Sequence, residues 1–79
     1  MQSPYTHVLL DADSGEPIGA VRGIDECPDG SHFGLVCRFD MDEPETYVWL
    51  DDLNILRLDE AAPHVRNHVE WALKNLQPV

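Results

Sequence analysis

Basic residues are scarce in this chain: five Lys or Arg stand against fifteen Asp or Glu in 79 residues, a formal net charge of −10. Such a chain repels nucleic acid and anionic lipid, so direct nucleic-acid binding is not expected and a macromolecular partner should be a protein with a basic surface. Cysteine is scarce too. Cys27 and Cys37 are too few for a secreted disulfide framework, which points to reduced thiols and a cytoplasmic location. Long apolar runs are missing: Val8-Leu9-Leu10 is cut by Asp11 and Asp13, so neither a signal-peptide core nor the ~20-residue span of a membrane helix is expected. There is also no glycine-rich loop leading from a strand into a helix, and hence no phosphate cradle.

What is present is enough apolar side chain for a core, 43% of residues, with 25% charged, the balance of a globular protein rather than a disordered acidic tail. At this length one domain spanning residues 1–79 is expected. Tyr5 to Leu10 is β-branched and apolar, and Asp11 to Gly15 supplies turn formers. Ile18 to Ile24 reads as a second strand whose internal Gly19 and Gly23 suggest a bend or bulge. Cys27-Pro28-Asp29-Gly30-Ser31 is a turn. In the third strand, Gly34 to Phe39, the alternation sets Leu35, Cys37 and Phe39 against Val36 and Arg38, with the first set expected to face the core. Asp42 to Glu45 makes a charged turn, Thr46 to Leu50 has the strongest strand propensity in the chain, and Asn54 to Leu58 closes the series.

Five short strands over residues 5–58 imply a meander, either a small barrel or a strongly bent antiparallel sheet. The run from Val48 to Ile55 resembles the strand, one-turn 3₁₀ helix, strand ending of SH3-like barrels, and the resemblance implies that fold. The outline is also similar to the Sm-like acidic proteins that block the RNA site of transcription termination factor Rho, which carry a helix before the barrel where this chain puts one after it.

From Pro63 to Gln77 the period becomes helical. Proline suits the first helical position, Asp59 and Glu60 lie just upstream, and Pro78 marks the stop. At 100° per residue Val65, Val69, Ala72, Leu73 and Leu76 form one stripe, expected to pack on the sheet, so the class is α+β. Trp71 falls roughly 140° from the centre of that stripe, beside His64 and Asn75.

Sites of chemistry are weakly marked. His64 and His68 share a helix face at the spacing of paired zinc ligands, but the two cysteines lack the short knuckle that presents two thiolates to one ion. Asp11, Asp13, Gly15 and Glu16 resemble the start of a calcium loop whose remaining ligand positions fail, Arg22 standing where the closing glutamate belongs. Cys27 and His32 are the only thiol and imidazole close in sequence, and Asp25, Glu26 and Asp29 around them disfavour the thiolate. No enzyme activity, cofactor or specific metal is therefore expected.

What remains is recognition, in two forms. An adaptor or regulatory subunit would dock a basic protein through Trp71, His64 and neighbouring carboxylates, aromatic anchors being enriched at interface centres. A nucleic-acid mimic, an inhibitor of the phage or mobile-element type, would use Asp40, Asp42, Glu43, Glu45, Asp51 and Asp52 to occupy a DNA- or RNA-binding groove. Elemental analysis after gel filtration is expected to find no stoichiometric zinc or calcium, and a 1:1 content of either would overturn the reading of both ligand sets.

Overall fold

The computed structural model describes residues 4–39 and 45–76. Five antiparallel strands form one sheet: β1 (His7–Leu10), β2 (Pro17–Glu26), β3 (His32–Arg38), β4 (Thr46–Trp49) and β5 (Asn54–Arg57), followed by a 3₁₀ turn at Leu58–Glu60 and helix α1 (Pro63–Leu76). The strand order is β4-β3-β2-β1-β5. Each of β1 to β3 pairs with the next strand in the chain, whereas β5 returns to the far side of β1.

That last step bends the sheet. Laid flat, five strands put β4 and β5 about 19 Å apart, four spacings of ~4.8 Å. Yet Trp49 and Asn54 are joined by only four residues, whose reach is about 17 Å even fully extended. The connection is far from extended: Leu53 N–H donates to Leu50 C=O at 3.0 Å, closing a tight turn. The two outer strands therefore curl toward each other. They do not pair, so the sheet is bent but not closed, and a closed barrel is not formed. The expected one-turn 3₁₀ helix between β4 and β5 is replaced by this single hydrogen-bonded turn, and the 3₁₀ segment lies instead at Leu58–Glu60 after β5.

Bending gives the sheet two apolar faces. On the inside, Leu9, Val21, Val36 and Leu50 are buried, with Ile18, Ile24, Val48 and Ile55 packed around them. On the outside, Val8 and Ala20 are buried against Val69 and Leu73 of α1, with Leu10, Cys37, Phe39, Leu56 and Val65 alongside. This corrects the expectation that only Leu35, Cys37 and Phe39 of β3 face a core: Val36, from the opposite set, is buried, because alternate residues feed the two cores in turn. The helical stripe is as the period predicts, with Val69, Ala72 and Leu73 buried and Val65 half-buried; the side chain of Leu76 and the expected last helical residue, Gln77, lie outside the described residues.

The two strand glycines serve different purposes, Gly23 at the expected bulge and Gly19 at a close approach of strands. Gly23 sits at φ 63° inside a register shift between Arg22 and Asp25, a bulge that a side chain would strain. Gly19 has no such φ. A Cβ there would stand 2.8 Å from the Cys37 carbonyl oxygen, so its role is close approach of β2 to β3. Pro63 opens α1 as its first residue, and the Ala62 carbonyl accepts from the N–H groups of Val65 and Arg66.

Val69 is 1% exposed, so Val69→Asp buries an unpaired carboxylate and is expected to abolish the cooperative thermal transition; Trp71→Ala, at a side chain 63% exposed, should change stability by no more than about 1 kcal/mol. Thermal denaturation followed by circular dichroism checks both.

Candidate functional site

The outer face of the sheet is only partly covered. Helix α1 lies over β1, β2, the Cys37 end of β3 and Phe39 just beyond it, and leaves the β3–β4 end bare. Pairing puts Phe33 opposite Trp49 and Leu35 opposite Tyr47. Directly opposed residues share a face, so alternation along β3 carries Phe33, Leu35 and Cys37 on the outside. The outcome is an exposed aromatic cluster: Tyr47 is 66% and Trp49 62% exposed, and Phe33 stands edge-to-face with both, ring centroids 5.9 Å apart in each pair. Phe33, Tyr47, Val48 and Trp49 line a cleft of about 300 Å³ open to solvent.

A second aromatic group lies on the same side. Phe39, six residues or about 20 Å further along the strand direction, stacks obliquely on His68 at 6.3 Å, and His68 in turn lies 6.2 Å from Trp71. Trp71 is thus exposed at the surface, as its helical angle requires, and Asn75 donates from Nδ2 to the Trp71 carbonyl at 2.7 Å. His64 stands two turns up the same helix face, exposed, in a cleft of about 450 Å³ with His68 and the Ser14–Pro17 turn. Among the described residues no group of three or more His, Cys, Asp or Glu is placed to share a metal ion.

The carboxylates behave less uniformly than their sequence clustering suggests. Asp40, Asp42 and Glu43 lie outside the described residues. Glu45 is fully engaged: its Oε2 accepts from Arg22 Nε at 2.8 Å, its Oε1 accepts from the Tyr5 hydroxyl at 2.9 Å, and the Arg22 guanidinium lies 5.7 Å from the Tyr5 ring centre. Burial pushes the Glu45 carboxyl up, but the hydrogen bonds from Arg22 and Tyr5 and the charge of Arg22 outweigh it and hold the group below its usual range. The same contacts act in reverse on Tyr5, whose phenol is raised by burial and then by the hydrogen bond to Glu45. Beside them the Cys37 thiol is raised by burial and by the Glu45 charge, the opposite of an activated nucleophile.

Asp51 has a different task. Its Oδ2 accepts from the His32 backbone N–H at 2.9 Å and its Oδ1 lies 3.3 Å from His32 Nδ1, so the β4–β5 turn is tied to the start of β3. Those backbone and side-chain hydrogen bonds hold Asp51 below the ordinary carboxylate range. Glu26 approaches the other His32 nitrogen at 3.5 Å. Asp52, next in the turn, is exposed. Asp11 accepts from the N–H groups of Asp13 and Ser14, an Asx-type turn built by the turn formers of Asp11 to Gly15.

The structure thus brings Trp71 and His64 to one helix face, turns Glu45 inward to Arg22, and leaves Asp51 and Asp52 at a turn bordering the aromatic cleft. Phe33, Tyr47 and Trp49 were legible only as strand residues. The signal was the i, i+2 spacing of Tyr47 and Trp49, which fixes a shared face but not whether that face is covered.

Glu45→Gln removes a carboxylate whose folded pKa is depressed, so its contribution to stability is present above the unfolded carboxylate value of 4.5 and lost as pH falls through the lower folded value. The variant's thermal midpoint should lie below that of the parent at pH ~7, and the gap should close below pH ~4. A gap independent of pH would assign the effect to packing instead.

Comparison of the chain with protein-family models, with curated proteins and with solved structures finds no match in any of the three.

Proposed function

We propose that this protein is a small, non-enzymatic, acidic binding module, an adaptor or regulatory subunit, that docks a basic protein surface through the outer face of an SH3-like bent sheet. The exposed aromatics carry this reading. Tyr47, Trp49 and Trp71 are each more than 60% exposed, in a chain whose core is otherwise well covered. Large rings left in water are costly, and they concentrate at the centres of interfaces, where a few such residues together carry most of the binding energy. Around them the charge is negative: two of the five basic residues, Arg22 and Arg57, are committed to Glu45 and Asp59. The surplus carboxylates steer a cationic partner and the rings hold it.

The nucleic-acid mimic is the weaker alternative. A mimic needs carboxylates arrayed at phosphate-like spacing, whereas Glu45 is neutralised by Arg22 and Asp51 is tied to His32.

With the partner identified by affinity capture and purified, the dissociation constant should rise steeply with salt, because exposed charges are screened over ~8 Å at physiological ionic strength. Trp71→Ala should weaken binding about 30-fold or more, equivalent to a hot-spot loss of about 2 kcal/mol. A DNA or RNA duplex should not compete; competition by a duplex, with Trp71→Ala silent, would establish the mimic instead.

A further inference from the structure

The aromatic cleft at the β3–β4 end combines three features that no other part of the described surface has together. First, β4 is an open edge. Its single neighbour among the described residues is β3. Leu50 N–H donates to the His32 carbonyl at 2.9 Å, and in an antiparallel ladder the inward-pointing residues alternate, so Val48 and Thr46 also face β3 while the backbone N–H and C=O groups of Tyr47 and Trp49 point away from the sheet. The edge is a template for one more strand.

Second, the side chains of those same two residues lie on the exposed outer face and, with Phe33 between them, line the cleft of about 300 Å³. Phe33 meets both neighbours edge-to-face rather than stacked flat, and Tyr47 and Trp49 keep most of their surface in solvent. Third, the border is anionic. Asp25 is opposite Phe33 in the register, on the same face as the rings, and Asp52 is exposed in the turn that follows β4. Arg22, the neighbouring cation on that face, is already neutralised by Glu45.

A hydrophobic occupant would need only the rings. Rings bordered by a carboxylate on a chain of net charge −10 suit a cation, whose charge is attracted by the ring quadrupoles and complemented by Asp25. A second copy of this chain fits poorly, since pairing two β4 edges brings two chains of net charge −10 together along these carboxylates. We propose that the Phe33–Tyr47–Trp49 cleft is a seat for a lysine or arginine side chain carried on an extended segment of a partner protein, which adds to the sheet as a strand along β4. The binding-module reading above is assumed, and the proposal gives it a mode and a ligand class.

The probes are short peptides of alternating Thr and Val with a central Lys, Nε-trimethyl-Lys, Arg or neutral norleucine, and a Lys version N-methylated at alternate backbone nitrogens. Each is titrated into isotope-labelled protein and followed by NMR. Lys, trimethyl-Lys or Arg should shift the Phe33, Tyr47 and Trp49 ring signals and the β4 amides, norleucine should bind about tenfold more weakly, and backbone N-methylation should weaken binding by a similar factor. Trp49→Ala should abolish the shifts at an unchanged thermal midpoint, and Trp71→Ala should leave them in place. Equal affinity for norleucine would overturn the cation seat, and tolerance of N-methylation would overturn strand addition. Sedimentation showing a dimer that Trp49→Ala dissociates would assign the edge to a second copy and overturn the proposal. If no peptide binds while a purified basic partner still binds and is lost on Trp71→Ala, the cleft proposal fails and the broader function stands; if that partner binding is itself insensitive to salt and to both tryptophans, both fail.

Discussion

The tight turn from Leu50 to Leu53 is the constraint on which the rest of the structure depends. Four residues cannot bridge the two margins of a flat five-stranded sheet, so closing that turn with the Leu53–Leu50 hydrogen bond forces the sheet to bend. Bending creates an inner concavity that Leu9, Val21, Val36 and Leu50 fill, and an outer convexity that needs a cover. Helix α1 supplies the cover through Val69, Ala72 and Leu73. Gly23 and its bulge let β2, the longest strand, follow the curvature without breaking its pairing to β3.

The same geometry produces the candidate site. A single helix of fourteen residues cannot cover the convex face of five strands, and it lies over β1 and β2 rather than β4. The uncovered end is where the aromatic residues stand, and it coincides with an open strand edge. Elsewhere exposed edges are blunted by charge or proline. Here β4 carries Tyr47 and Trp49 instead, a choice that favours occupation of the edge over its protection.

Electrostatics divides the acidic residues into two working groups. Some maintain the structure: Glu45 joins Arg22 and Tyr5, Asp51 joins the β4–β5 turn to β3, and Asp11 and Asp29 order their own turns. Others, such as Asp52, remain exposed at turns and set the sign of the surface. Net charge therefore overstates how many carboxylates are available to a partner, which is why the aromatic rings rather than the acid count locate the candidate site.

Local sequence was sufficient for the elements themselves. β-Branched and aromatic runs bounded by Asp-Gly and Pro turns determine the five strands, Pro63 and the 3.6-residue stripe determine α1, and the helical angle of Trp71 determines its exposure, because each is fixed by backbone preference and side-chain period within a few residues. Tertiary structure alone decided the rest. Whether the sheet closes depends on how far β4 and β5 approach after the bend, and whether Val36 or Leu35 is buried depends on both faces being covered, by the sheet's own curvature on one side and α1 on the other. Glu45 reads as one of a run of turn carboxylates until Arg22 and Tyr5, 23 and 40 residues away, are brought to it. Tyr47 and Trp49 read only as strand residues sharing a face until the position of α1 leaves that face uncovered, since a strand's period tells which residues share a face but not what lies against it.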